Sequence, residues 1–116
     1  MNSEEMKQRT KALALRIVRL VYTLPSRGSA GVMGRQLLRF GTSVGANYRA
    51  ACRGRSRWDF VAKLGIVEEE CDEVIYWLEL LIDAGIVDEA RVKDLSAEAN
   101  EVLSIVVASI KTSRPK

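Results

Sequence analysis

From Met6 onward the apolar residues return at steps of three and four rather than two, and the rhythm persists almost to the C-terminus. A period near 3.6 marks the buried face of a helix, whereas alternation would mark a strand. The spacing predicts an all-α protein. In a first helix, about Ser3 to Leu24, Met6, Leu13, Ile17, Leu20 and Leu24 form one stripe, and Leu15, Val18 and Tyr22 an adjoining one. Pro25-Ser26-Arg27-Gly28 ends it, because proline has no N–H to continue the ladder.

A second helix, about Ser29 to Arg53, carries Leu37, Leu38, Val44, Tyr48, Ala51 and Cys52, with Gly34, Gly41 and Gly45 inside it. Each interior glycine costs roughly 0.5–1 kcal/mol against alanine, so three of them imply a neighbouring helix passing close to the backbone. After the turn at Gly54-Arg55, Ser56 and Asp59 take the form of a capping box, with Asp where Glu or Gln is usual. A third helix follows, in which Phe60, Leu64, Val67, Cys71, Val74, Leu78 and Leu81 recur at alternating fours and threes, the heptad seam of nearly parallel rods. Gly85 stops it. Asp88 caps a fourth helix with the stripe Val92, Leu95, Ala99, Val102, Val106 and Ile110.

Short connections force antiparallel neighbours, so residues 1–116 are expected to form one domain, an antiparallel up-down-up-down four-helix bundle. The second stripe of helix one, and Leu103, Ile105 and Val107 off the main seam of helix four, exceed what one core needs. Their burial between subunits is expected, making a homo-oligomer.

The net charge of +3 conceals a division. Residues 1–58 hold 12 Lys/Arg against 2 Asp/Glu, and residues 59–116 hold 6 against 13. Reflection about the turn near residues 54 and 55 sets Arg39 beside Glu69 and Glu70, Arg35 beside Glu73, and Arg49 near Asp59, within reach of interhelical pairs. It leaves Arg53, Arg55 and Arg57 crowding the turn with Lys63 and one acid, Asp59. Favourable interaction with the C-terminal dipole of helix two accounts for one or two of these cations. The remainder suit a phosphate backbone, whose oxygens match the guanidinium fork, or an acidic protein partner. Trp58 and Tyr48 lie close by in sequence; an aromatic there could stack on a base, although Tyr48 falls on the core stripe.

There is no histidine, which removes the usual general base and the commonest metal ligand. Catalysis is not expected, nor any cofactor. The acidic run Glu68-Glu69-Glu70-Cys71-Asp72-Glu73 reads as a solvated face partly paired with helix two, since carboxylate-bridged metal sites in bundles use Glu-x-x-His pairs. Cys52 and Cys71 read as independent, partly buried thiols of a reducing compartment. No 18-residue apolar run and no secretory leader is present, so a cytoplasmic protein without membrane attachment is expected.

The segment Gln36 to Leu81 resembles the four-helix-bundle proteins encoded by intervening sequences of bacterial large-subunit ribosomal RNA genes. The resemblance rests on Ser43, Ala46, Asn47, Ala50 and Ala51, then Arg55, Ser56, Asp59 and Phe60, with Glu69, Asp72 and Glu79 on helix three. The family's N-terminal motif of the type D-L-x-V-W is absent here. That family includes relatives of the accessory variability protein of diversity-generating retroelements, which forms a basic homopentamer and works with a reverse transcriptase and RNA. By resemblance, this chain is expected to be a ring-forming accessory subunit, a homopentamer, binding structured RNA or an RNA–protein complex. The site would comprise Arg49, Arg53, Arg55, Arg57 and Lys63, joined by Arg35 and Arg39. The competing expectation is a module docking an acidic protein without nucleic acid.

Overall fold

A computed structural model describes residues 1–115. Four helices follow in order: α1 (Ser3–Tyr22), α2 (Gly28–Cys52), α3 (Arg57–Asp83) and α4 (Glu89–Ser113). Each packs against its neighbour in sequence and α1 closes on α4 along a sparser seam, giving the antiparallel up-down-up-down bundle. The rod measures 46 × 23 × 21 Å.

Local chemistry sets the boundaries. Asn2 accepts the Glu5 N–H at 2.8 Å to start α1, and Asp88 accepts the Ala90 N–H at 3.2 Å to start α4. At the end of α3, Gly85 takes a left-handed φ of 73°; its N–H bonds the Ile82 carbonyl, and the Ile86 N–H bonds the Leu81 carbonyl. Both orphan carbonyls are thereby satisfied. Ser56 accepts the Asp59 N–H at 3.0 Å, but the Asp59 carboxylate reaches back to the Arg55 N–H at 3.1 Å, one residue earlier than in the usual reciprocal box.

The α3 seam from Leu64 to Leu81 is buried as its spacing requires, as is every residue of the α4 stripe. On α1, Thr10 fills the place between Met6 and Leu13. Its hydroxyl lies fully buried, 2.9 Å from the Met6 carbonyl, which satisfies it. Gly41 and Gly45 have the expected cause, whereas a Cβ at Gly34 would meet Leu24 Cδ1 at 3.4 Å, an ordinary contact. A Cβ at Gly41 would lie 2.5 Å from Cδ1 of the fully buried Ile17, and one at Gly45 would lie 3.1 Å from Thr10 Oγ1. Helix α1 lies against α2 where side chains are missing.

The spare apolar surface falls elsewhere than the sequence implies, with Val32 of α2 and Ile66 and Tyr76 of α3 exposed. Leu103 and Ile105 pack against the core of their own chain, so α4 largely consumes its extra residues. On α1, Leu15 remains 46% and Tyr22 85% exposed. Among the described residues no helix is long and apolar enough to cross a membrane.

Candidate nucleic-acid interface

The connection Arg53–Ser56 joins α2 to α3 at the end of the rod that also carries the start of α1 and the end of α4. Arg53, Arg55 and Arg57 are all exposed there and enter no ion pair among the described residues. Lys63 differs, because its Nζ is 2.9 Å from Asp59 Oδ2. That bond, followed by the Arg55 N–H, holds the Asp59 carboxyl below the usual carboxylate range. The one acid of the turn is therefore engaged by Lys63 and by backbone, and three guanidinium groups stay free. Arg53 also follows the last turn of α2, where the carbonyl dipoles favour a cation.

Arg49 belongs elsewhere than reflection placed it. It does not pair with Asp59; it lines a groove of about 290 Å³ between α1 and α2 with Lys7, Lys11 and Thr42. Lys7 and Lys11 were missed by the sequence reading, although their four-residue spacing puts two cations on one helix face. Lys7 touches Glu4 at 3.1 Å in an exposed pair of little energetic weight.

Arg35 and Arg39 do not form the expected pairs with α3. Arg35 donates to the Ser26 carbonyl at 3.3 Å, bracing the α1–α2 loop, and the Arg39 guanidinium lies 5.1 Å from the centre of the adjacent Phe40 ring. The partner of Glu70 is Asn47, whose Nδ2 is 2.9 Å from each carboxylate oxygen. Reflection about residues 54 and 55 sets Glu70 level with residue 39, whereas its partner Asn47 lies about two turns nearer the tip. The connection has width, and side chains on antiparallel helices lean toward their own N-termini, so a point reflection misplaces long polar groups. Burial pushes the Glu70 carboxyl up, with the Asn47 bonds opposing it.

Without those pairs, the acids of α3 stand on their own face. Glu69, Asp72, Glu73 and Tyr76 line an open groove of about 570 Å³. No three Cys, Asp or Glu side chains among the described residues are grouped to hold a metal ion. Cys71 is buried, and burial followed by its acidic neighbours pushes its thiol up to about 12; Cys52 is half-buried, and both are free. Of the two aromatics near the tip, Tyr48 is core and Trp58 is 63% exposed.

Residues 2–108 match the model of a family described as the 23S rRNA-intervening sequence protein. The chain belongs to that family. A crystal structure from Bacteroides thetaiotaomicron, of a protein with unknown function from the S23 ribosomal protein family, is 36% identical. It covers 96% of this chain and 99% of its own, with a TM-score of 0.88. Comparison with curated protein sequences returns no match. For this member of the 23S rRNA-intervening sequence family, the residues that carried the resemblance have structural employment. Asn47 ties α2 to α3 through Glu70, and Ser56 with Asp59 starts α3. The motif builds the hairpin on which the free arginines stand.

Proposed function

We propose that this protein is a non-enzymatic, homo-oligomeric bundle of the cytoplasm that binds structured RNA, bare or in complex with a protein such as a reverse transcriptase. The hairpin tip supplies the contact. The observation carrying the reading is that Arg53, Arg55 and Arg57 crowd one exposed turn while its single acid, Asp59, is engaged by Lys63. Arg49, with Lys7 and Lys11, extends the positive surface along the α1–α2 groove. Planar guanidinium forks grip phosphate oxygens in pairs, and exposed Trp58 offers a face on which an unpaired base can stack. Lys63 contributes less than the arginines because it is already paired, and Arg35 and Arg39, on the shaft of α2, lie at the margin. Several copies in a ring, five by family resemblance, would turn a weak patch into a multivalent one, with exposed Leu15 and Tyr22 among the surface available for assembly.

The test is RNA binding across a salt series. With about four phosphates neutralised per subunit, log K should fall with log salt at a slope of roughly −3. Replacing Arg53→Glu and Arg55→Glu should weaken binding at least tenfold while lowering Tm by no more than a few degrees, because both side chains are exposed and unpaired and only the dipole interaction of Arg53, about 0.3–1 kcal/mol, is reversed. A flat salt dependence, or unaltered affinity in the variant, defeats the proposal. Exposed Trp58 among arginines also has the composition of a protein-docking hot spot. A partner that survives complete nuclease treatment and is lost in the same variant would favour docking over RNA.

A further inference from the structure

The α1–α4 seam has two unlike halves. Near the start of α1, Arg9 grips Glu98 with two bonds of 2.7 Å, and Glu101 lies 3.9 Å away. Toward the other end of the rod, far from the hairpin tip, the seam parts into a groove of about 350 Å³. Arg16 and Arg19 of α1, with Thr23 just past its end, face it from one side, and Arg91 of α4 faces it from across, over a buried floor that includes Leu20 and Leu95.

Arg91 is held in place. Its Nη2 donates to Thr23 Oγ1 at 2.7 Å, and that hydroxyl in turn donates to the Leu20 carbonyl at 2.6 Å. One of five N–H donors is used, and the planar group stays aimed across the seam. Arg16 and Arg19 form no ion pair among the described residues. The acids nearest in sequence are engaged: both Glu98 oxygens bond Arg9, although that carboxylate still feels the charge of Arg16, and Asp88 caps Ala90. The chain's own C-terminal turn cannot fill the groove, since it bears Lys111 and Arg114 at the opposite end of the rod.

We propose that this groove binds a phosphate group. Three guanidinium forks around one depression repel one another until an anion arrives, and each matches two phosphate oxygens. Charge separates phosphate from a carboxylate: a phosphomonoester brings about −1.5 to −2 at neutral pH, closer to the three cations present than a single negative charge. The apolar floor lowers the local dielectric and strengthens the attraction. The fork geometry is shared by a free phosphorylated metabolite, which brings that charge in one group, and by an RNA chain, whose phosphodiesters carry one charge each, so that two of them would have to enter the groove. The site is independent of the hairpin tip, which lies at the other end of the bundle.

Thermal unfolding in sodium phosphate against sodium chloride of equal ionic strength and pH tests it. The wild-type Tm should rise by several degrees more in phosphate, because a ligand that binds only the folded state stabilises it by mass action. The double variant Arg16→Gln, Arg19→Gln should lose that excess, and Arg53→Gln, Arg55→Gln should keep it. Equal Tm in the two salts for the wild type, or an excess that persists in the groove variant, overturns the proposal. So does an excess lost only at the tip. RNA affinity then assigns the source. A fall in the groove variant points to RNA, and unchanged RNA affinity with a lost phosphate response points to a free phosphorylated compound.

Discussion

Helix α1 treats its two neighbours differently. Against α2 it presses Ile17 onto Gly41, where a single added carbon would collide, and Thr10 onto Gly45, where it would be crowded. Against α4 it relies on a few long side chains, Arg9 on Glu98 and Thr23 under Arg91, with a groove between them. The first seam is fixed by hard-core packing and tolerates almost nothing. The second is fixed by reach and charge, so it holds the helices while leaving open space. One helix thus supplies both the rigid wall of the core and the edge of a candidate binding groove.

The sharpest way to break this contrast is Gly41→Ala. Overpacking against Ile17 should lower stability by about 1–3 kcal/mol, more than the helix-propensity gain of about 0.5–1 kcal/mol offsets. Denaturant unfolding measures it; a stabilised variant would mean that α1 does not pass so close. Trimming the obstacle sharpens the test, since in an Ile17→Val background the Gly41→Ala penalty should shrink by at least about 0.5 kcal/mol.

On the polar seam, Glu98→Gln should lower stability by about 1 kcal/mol near neutral pH. The Arg9 bond holds the Glu98 carboxyl below its usual range. Its stabilisation is therefore complete above the unfolded-state value and is lost as pH falls through the lower folded value. Wild type and variant should converge as pH falls through that lowered folded value, read as Tm against pH. Parallel curves would show that the pair contributes no pH-linked stability.

A glycine without a neighbour makes the control for Gly41. Nothing lies within 4 Å of a Cβ built at Gly65, in the interior of α3. Gly65→Ala should raise stability by about 0.5–1 kcal/mol, the reverse of Gly41→Ala, and a loss there would show that the sign at Gly41 does not report the seam. The smallest effect is expected at Glu70→Gln, because burial raises this carboxyl rather than lowering it. The cost of its charge is present above the raised folded pKa and absent below the unfolded value. The variant should match or slightly exceed wild type at neutral pH, with the difference fading on acidification; a clear loss would mean that Asn47 needs the full charge.

What could be read from the chain follows the length of the groups involved. The α3 seam and the α4 stripe were legible residue by residue, because a short apolar side chain lies where its Cα puts it. The close approach at Gly41 and Gly45 was legible too, since interior glycine is costly without a reason. The polar pairs were not. Arg35 serves a loop carbonyl, and Arg9 meets an acid 89 residues away, choices that depend on several flexible bonds and on inter-helix register. For the candidate interface, Arg53, Arg55 and Arg57 stood out because one turn cannot hide them. Lys7, Lys11 and the Arg16–Arg19–Arg91 grouping did not, since they require knowing which helices share an edge.

An even number of antiparallel passes returns the chain to where it began, so Met1 and Pro115 both lie at the end of the rod that bears the arginine-rich turn. Any affinity tag or fluorescent reporter appended to either terminus would crowd that turn and could mask it in an assay. A graft into the loop at Ile86–Asp88, a rod's length away, would leave it uncovered.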